Sequence, residues 1–166
     1  MRGYKLVDKG IVNQYKTQYK LNHEYVLNGK LKYSKNGFHF SIYPEETLRF
    51  ADRDDDNFAT NYMIVEIEAD GEIECGDDYL ENIQADTIGV YASTRMTILR
   101  VLQREEVFNM ILNSNNPQRV KKYIMYVKLT DEEIDLIKEK YDNYYIGAYI
   151  DYYQYKNELA FKRTLK

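Results

Sequence analysis

The 166-residue chain has one cysteine, two prolines, two histidines and no tryptophan. A lone Cys75 excludes an internal disulfide and any multi-cysteine zinc site. No apolar run approaches the ~18 residues that a membrane-spanning helix needs. The opening Met1-Arg2-Gly3-Tyr4-Lys5 has no apolar leader core, so a reducing cytoplasm is the expected compartment, with no membrane contact. No G-x-x-x-x-G-K-[ST] cradle, G-x-G-x-x-G turn or G-x-S-x-G elbow occurs, which removes the common phosphate-binding, dinucleotide and serine-hydrolase readings. Cys75 has no histidine near it in sequence to activate it. Scarce proline and no low-complexity run argue against disorder, and no 20- to 50-residue period points to a repeat array.

What is present is tyrosine and segregated charge. Tyrosine occurs 18 times in a chain that is 44% hydrophobic, enough to fill a core. The net charge of −4 hides two blocks of opposite sign. Residues 1–44 hold eight Lys/Arg against Asp8 and Glu24, whereas residues 45–86 hold fifteen acids against Arg49 and Arg53. Such blocks either steer a partner or neutralise each other inside one domain.

The pattern predicts an α+β protein: a twisted, mainly antiparallel sheet in the N-terminal two thirds, with helices packed from the C-terminal third. Tyr4–Asp8, Tyr15–Tyr19 and Glu24–Leu27 read as strands, and Asn28-Gly29 as a hairpin turn into Leu31-Lys32-Tyr33. Phe38 and Phe40 should face one side of a strand and His39 the other. Pro44 suits a first helical position, with Glu45 and Glu46 behind it and the helix ending near Ala51. Tyr62–Glu68 is a strand, Asp70-Gly71 a turn, and Thr87–Tyr91 and Arg95–Leu102 two further strands. A helix covers Gln103–Leu112, and Asn113–Pro117 is the clearest linker. Aromatic and β-branched Tyr123–Val127 favours a strand over Val120–Leu129. Thr130 with Glu133 forms a capping box, opening a helix that runs to about Tyr141, and a last helix spans Tyr144–Leu159. The expected organisation is a strand-rich unit over 1–112 and a helical extension over 117–166, packed together as one structural unit.

His39 is the first place to look for chemistry, as a general base or a ligand. A histidine on a strand more often donates to a carbonyl as part of the structure, and no second nitrogen or sulfur ligand lies near it. No metal site and no cofactor is therefore expected. Asp52, Asp54 and Asp56 imitate the first half of a calcium loop, but its glycine position is Asn57 and its twelfth position is Met63. Lys16, Lys20, Lys30, Lys32 and Lys35 interleave with Tyr15, Tyr19 and Tyr33 as a single-strand nucleic-acid groove would, against the acidic pI of 5.3. Seven tyrosines between Tyr141 and Tyr155 lie on more than one helical face, so Tyr145, Tyr149 and Tyr152 are candidates for a partner surface.

From Gly3 to about Leu112, short pieces in order carry a family resemblance: Tyr4-Lys5-x-Val7-Asp8, Gly37-Phe38-His39-Phe40, Val65-Glu66 with Gly71-Glu72-Ile73, Asp77-Asp78, Thr94–Leu99 and Glu105-Glu106-Val107. Together they resemble an uncharacterised domain family of phages and giant viruses whose members lack an established activity. The resemblance implies a viral setting, with the host cytoplasm as compartment. Cysteines often flank the GFHF box in that family, and this chain has Ser34 and Ser41 there.

Phe38-His39-Phe40, Phe50-Ala51 and Glu66-x-Glu68 also loosely resemble compact ADP-ribosyltransferases. That resemblance implies NAD binding, with His39, Glu66 and Glu68 as the groups to test. The first strand then offers only Lys5 as a cofactor clamp, and Glu105 or Glu106 are the late glutamates. The leading expectation is a non-catalytic protein that binds a protein, either a host factor or a second copy as a homodimer. Its contacts would be the acidic loop Asp54, Asp55 and Asp56 or the tyrosines Tyr145, Tyr149 and Tyr152. The alternatives are the NAD-dependent enzyme and a single-strand binder using Lys30, Lys32 and Lys35.

Overall fold

A computed structural model describes residues 1–12, 18–33, 35–51, 62–76, 89–141 and 144–164, with the side chains of 144 and 156–164 left aside. The strands are β1 (Arg2–Asp8), β2 (Glu24–Val26), β3 (Phe38–Ser41), β4 (Tyr62–Cys75) and β5 (Val90–Leu102). The helices are α1 (Pro44–Thr47), which continues as a 3-10 turn over Leu48–Phe50, α2 (Arg104–Leu112), α3 (Pro117–Tyr126), α4 (Asp131–Lys140) and α5 (Tyr144–Thr164). The α+β class expected from the pattern is the class observed.

All five strands are antiparallel to their neighbours, in the order β2-β5-β3-β1-β4, and β4 also pairs with β5. The ring β5-β3-β1-β4 therefore closes on itself. Its long hairpin, β4 with β5, supplies most of the ladder, while β1 meets β3 at one register pair, Tyr4 with Ser41. Alternation sorts side chains onto two faces. Val7, Phe40, Val65, Ile67, Ala69, Met96 and Ile98 fill the inside of the ring, with Tyr19. On the outer face Ile64 and Leu102, flanked by Tyr4 and Leu6, pack under the helices. That second core joins Leu48 and α2 to Val120, Tyr123 and Ile124 of α3, Ile137 of α4, and Ile146 and Ile150 of α5.

Four expectations need correction. Asn28-Gly29 turns the chain, but the flanking segments do not pair: β2 takes β5 as its neighbour and Lys32 folds back on Asn36. Asp70-Gly71 is no hairpin turn. β4 runs through it with a bulge between Asp70 and Ile73, and Gly71 takes the positive φ of 76° that the bulge needs. What reads as two strands, 87–91 and 95–102, is one strand from Val90 onward. Val120–Leu129 is mostly helix, because Asn116 accepts from the Gln118 amide as N-cap and Pro117 starts the first turn. The buried residues of this helix, Val120, Tyr123 and Ile124, follow the helical period rather than alternation. The capping box at Thr130 and Glu133 is formed as expected. The Asp52–Asn57 loop, its calcium-like aspartates and most of the Tyr15–Tyr19 segment lie outside the described residues.

Candidate functional site

His39 sits on β3 with its ring on the outer face, opposite Ala92, while Phe38 and Phe40 turn into the ring as the alternation requires. Its Nε2 is hydrogen-bonded to the Tyr33 carbonyl, and the two rings meet edge to face with centroids 5.5 Å apart. Tyr33 is itself fixed, because its amide donates to Glu74 Oε2 at 2.8 Å. Glu74 faces Ala92 from the other side, so His39 and Glu74 flank one position of β5 and are joined through Tyr33. The imidazole is thus tied to the loop before β3.

Lys5 approaches the same residue from β1. Its register partner is Val65, which places it on the inner face, and its Nζ donates to the His39 carbonyl at 2.8 Å. Removal from water pushes the Lys5 ammonium down to about 8. This link reinforces the β1–β3 seam, where the backbone ladder is shortest.

Glu66 and Glu68 lie two apart on β4, on the outer face, and meet different surroundings. Glu66 is buried and holds Arg100 Nε at 2.6 Å and Arg2 at 3.5 Å. Arg100 also holds Glu106 at 2.6 Å. Burial and then the Glu66 charge raise the neighbouring Tyr4 phenol above its ordinary value. Glu68 is exposed, opposite Thr97. No hydrogen bond or ion pair joins His39 to either glutamate. Glu105 is exposed on α2.

The acidic block divides in the same way. On α1, Glu45 is fully buried and ion-paired with Arg119 of α3 through both guanidinium arms, and that guanidinium lies 4.5 Å from the Tyr43 ring centroid. Glu46 pairs with Lys122, one turn further along α3. These acids are internal balance. The acids beyond Glu66 are open: Glu68, Asp70, Glu72 and Glu74 are all exposed. The cross-strand rows Glu24–Thr97–Glu68 and Val26–Arg95–Asp70 continue this outer face across β5 to β2. Asp54, Asp55 and Asp56 lie outside the described residues.

Lys30, Lys32 and Lys35 are exposed. The aromatic partners expected beside them are used elsewhere, since Tyr19 is 5% exposed in the ring and Tyr33 is held by His39 and Glu74. On α5, Tyr149 is half-buried while Tyr145 and Tyr152 are open. Among the described residues no three His, Cys, Asp or Glu side chains gather as a metal site, and no helix is long and apolar enough to cross a membrane. Sequence reasoning missed Arg119, Lys122 and Arg100 as the cations that neutralise the acids. Partners 74, 76 and 34 residues away leave no local spacing to read.

A family model described as a domain of unknown function, DUF7666, matches residues 1–110. The chain belongs to that family. The match takes in the closed sheet, α1 and most of α2, and ends before α3. No curated protein and no solved structure matches the chain.

Proposed function

We propose that the protein acts by binding another protein, without catalysis, and that the uncovered acidic half of the outer sheet face is its contact surface. One observation carries the reading: helices cover the outer face at Ile64 and Leu102, and leave Glu24, Glu68, Asp70, Glu72 and Glu74 open around Arg95. A face on which five exposed acids surround one arginine suits a partner that presents lysine and arginine, and it favours fast, salt-sensitive association. The setting we propose is viral, with a basic surface on a host cytoplasmic protein as the target. Asp54, Asp55 and Asp56 extend the same charge in sequence.

The catalytic groups of the NAD-dependent reading favour this assignment by their engagements. Glu66 is neutralised by Arg2 and Arg100, and His39 is bonded to the Tyr33 carbonyl. A carboxylate that must stabilise a positive sugar would need to be free of such cations.

Pull-down from host lysate with the wild-type chain and with Glu68→Lys/Asp70→Lys tests the proposal. Wild type should retain a defined basic partner that salt elutes, and the double variant should lose it while its circular dichroism stays unchanged. Equal recovery of the same partner by both chains would overturn the assigned face. Protection of the wild type by NAD in thermal unfolding would overturn the non-catalytic reading.

A further inference from the structure

We infer that Asn28 is a site of spontaneous covalent modification: in the folded protein its side-chain amide is lost to attack by the backbone nitrogen of Gly29, leaving aspartate and isoaspartate. The chain has two Asn-Gly pairs, Asn28-Gly29 and Asn36-Gly37. Glycine has no Cβ, so it leaves its own amide nitrogen unshielded and its backbone free to turn. By sequence the two pairs share this chemistry. The fold separates them.

Asn28 lies just past the end of β2, in a bend where it and Gly29 are both exposed. Gly29 holds a φ of 104°, which suits a turn at glycine. Among the described residues, neither the Asn28 side chain nor the Gly29 amide takes part in a hydrogen bond. No bond has to break before the two groups can meet.

Asn36 is held. Its backbone exchanges two hydrogen bonds with Lys32, at 2.8 and 2.9 Å, and its side-chain nitrogen donates to the Lys30 carbonyl at 3.0 Å. Gly37 behind it is closely packed: a Cβ there would stand 2.7 Å from Leu31 Cδ1 and 3.1 Å from Ala92 Cβ. Attack at Asn36 needs its side chain to leave Lys30 and the Gly37 peptide to rotate inside that packing. Both require local opening of the Lys32–Asn36 turn.

The step needs water and nothing else. The Gly29 nitrogen, having given its proton to solvent base, bonds to Asn28 Cγ; the Cγ–Nδ2 bond breaks and ammonia leaves. The cyclic imide then takes up water. Opening at the Cγ carbonyl gives aspartate, and opening at the backbone carbonyl gives isoaspartate, whose main chain runs through the side chain. Because the attacking nitrogen must be deprotonated, the rate rises with pH. Both products are carboxylates, so conversion makes the net charge of −4 more negative, at the end of the strand that carries Glu24. Added charge beside the acidic face would strengthen capture of a basic partner. That consequence rests on the function proposed above, and the chemistry at Asn28 does not.

The test ages the folded wild-type chain in mildly alkaline buffer, beside a sample in urea, and follows both by peptide mapping with mass spectrometry. In the folded chain Asn28 should convert to a mixture of aspartate and isoaspartate, faster as pH rises, and Asn36 should convert at least ~10-fold more slowly. In urea the two sites should convert at similar rates, since the protection of Asn36 belongs to the fold. Asn28→Gln, whose longer side chain disfavours the ring, should lose the acidic species that ion exchange resolves from aged wild type. An Asn28 that stays intact in the folded chain while it converts in urea would overturn the inference. Equal conversion at 28 and 36 in the folded chain would overturn selection by the fold, and aspartate without isoaspartate would overturn the imide route. The two proposals fail separately, because peptide mapping reads Asn28 whether or not Glu68→Lys/Asp70→Lys changes partner capture.

Discussion

Arg119 grips Glu45 across 74 residues of chain, and this pair fastens α1, which lies within the family match, to α3, which lies outside it. The Glu45 side chain has no exposure and that of Arg119 has 19%. A pair this dry is not a large net source of stability, because both charges left water to form it. Removing one partner is different. Arg119→Ala should destabilise the fold by about 3–5 kcal/mol, since it strands a buried carboxylate. Glu45→Met combined with Arg119→Met should unfold close to wild type. Urea titrations of Glu45→Met, Arg119→Met and the double variant form a cycle that measures the coupling. Additive losses would mean that the residues act separately.

Lys5 makes stability depend on pH in a direction unusual for a lysine. Its folded ammonium loses its proton at about 8, against 10.5 for the ordinary side chain. Below pH 8 both folded and unfolded chains carry the proton and the cost of burying it is present. Between 8 and 10.5 the unfolded chain binds a proton that the folded chain has released, so stability rises with pH. Tyr4, Tyr123 and Tyr141 are shifted upward, chiefly by burial, so above pH 10 the unfolded chain ionises first and stability falls again. The urea midpoint should therefore climb from pH 7.5 to about 9.5 and then decline. Lys5→Met should abolish the climb and keep the decline. A flat profile in the wild type would show that the amine is hydrated.

Gly3 lies where β1 crosses close to β3. A Cβ there would stand 2.5 Å from the Phe40 ring and 2.7 Å from the Ser41 carbonyl oxygen. The ring can shift, but the backbone oxygen belongs to the seam itself. Gly3→Ala should therefore cost about 1–3 kcal/mol, read as a lowered urea midpoint. Hydrogen exchange should rise selectively at β1 and β3 amides. Faster exchange confined to the helices would contradict the role given to this seam.

These tests rest on features of unequal legibility. The strand over Tyr62–Glu68, the proline start of α1 and the capping box were readable because each depends on residues within four positions of one another. The segment after Asn116 was misread because Tyr123–Val127 has the composition of a strand. The N-cap and the three buried positions, in helical period, outweighed that propensity once α3 could bury them on α2 and α5. Gly71 was misread because positive φ serves a bulge as well as a turn, and only pairing with β5 decides between them. The closed ring, Lys5 at the His39 carbonyl and the cations on the acids depend on contacts between distant segments, for which one sequence carries no spacing rule. The open tyrosines were the exception. Tyr145, Tyr152 and Tyr155 exceed what one helix face can bury, and that surplus is visible in the sequence.

Glu133 does two things at once, and their energies can be separated. Its carboxylate accepts from the Thr130 amide at 2.9 Å while Thr130 Oγ1 accepts from the Glu133 amide at 3.2 Å, closing the start of α4. The same carboxylate takes Arg104 Nε at 3.1 Å and a second guanidinium nitrogen at 2.6 Å, tying α4 to α2. Thr130→Ala removes only its side of the cap and should cost about 1 kcal/mol. Glu133→Gln keeps a cap acceptor and weakens the link to Arg104, whose guanidinium still donates to the Lys128 carbonyl at 2.6 Å, so about 1–2 kcal/mol is expected. Glu133→Ala loses both functions and should cost about 2–4 kcal/mol. Thermal unfolding of the three variants gives the order Thr130→Ala, Glu133→Gln, Glu133→Ala. If Glu133→Ala lost no more than Thr130→Ala, the arginine pair would contribute nothing, and α4 would be held by its buried Ile137 and its cap alone.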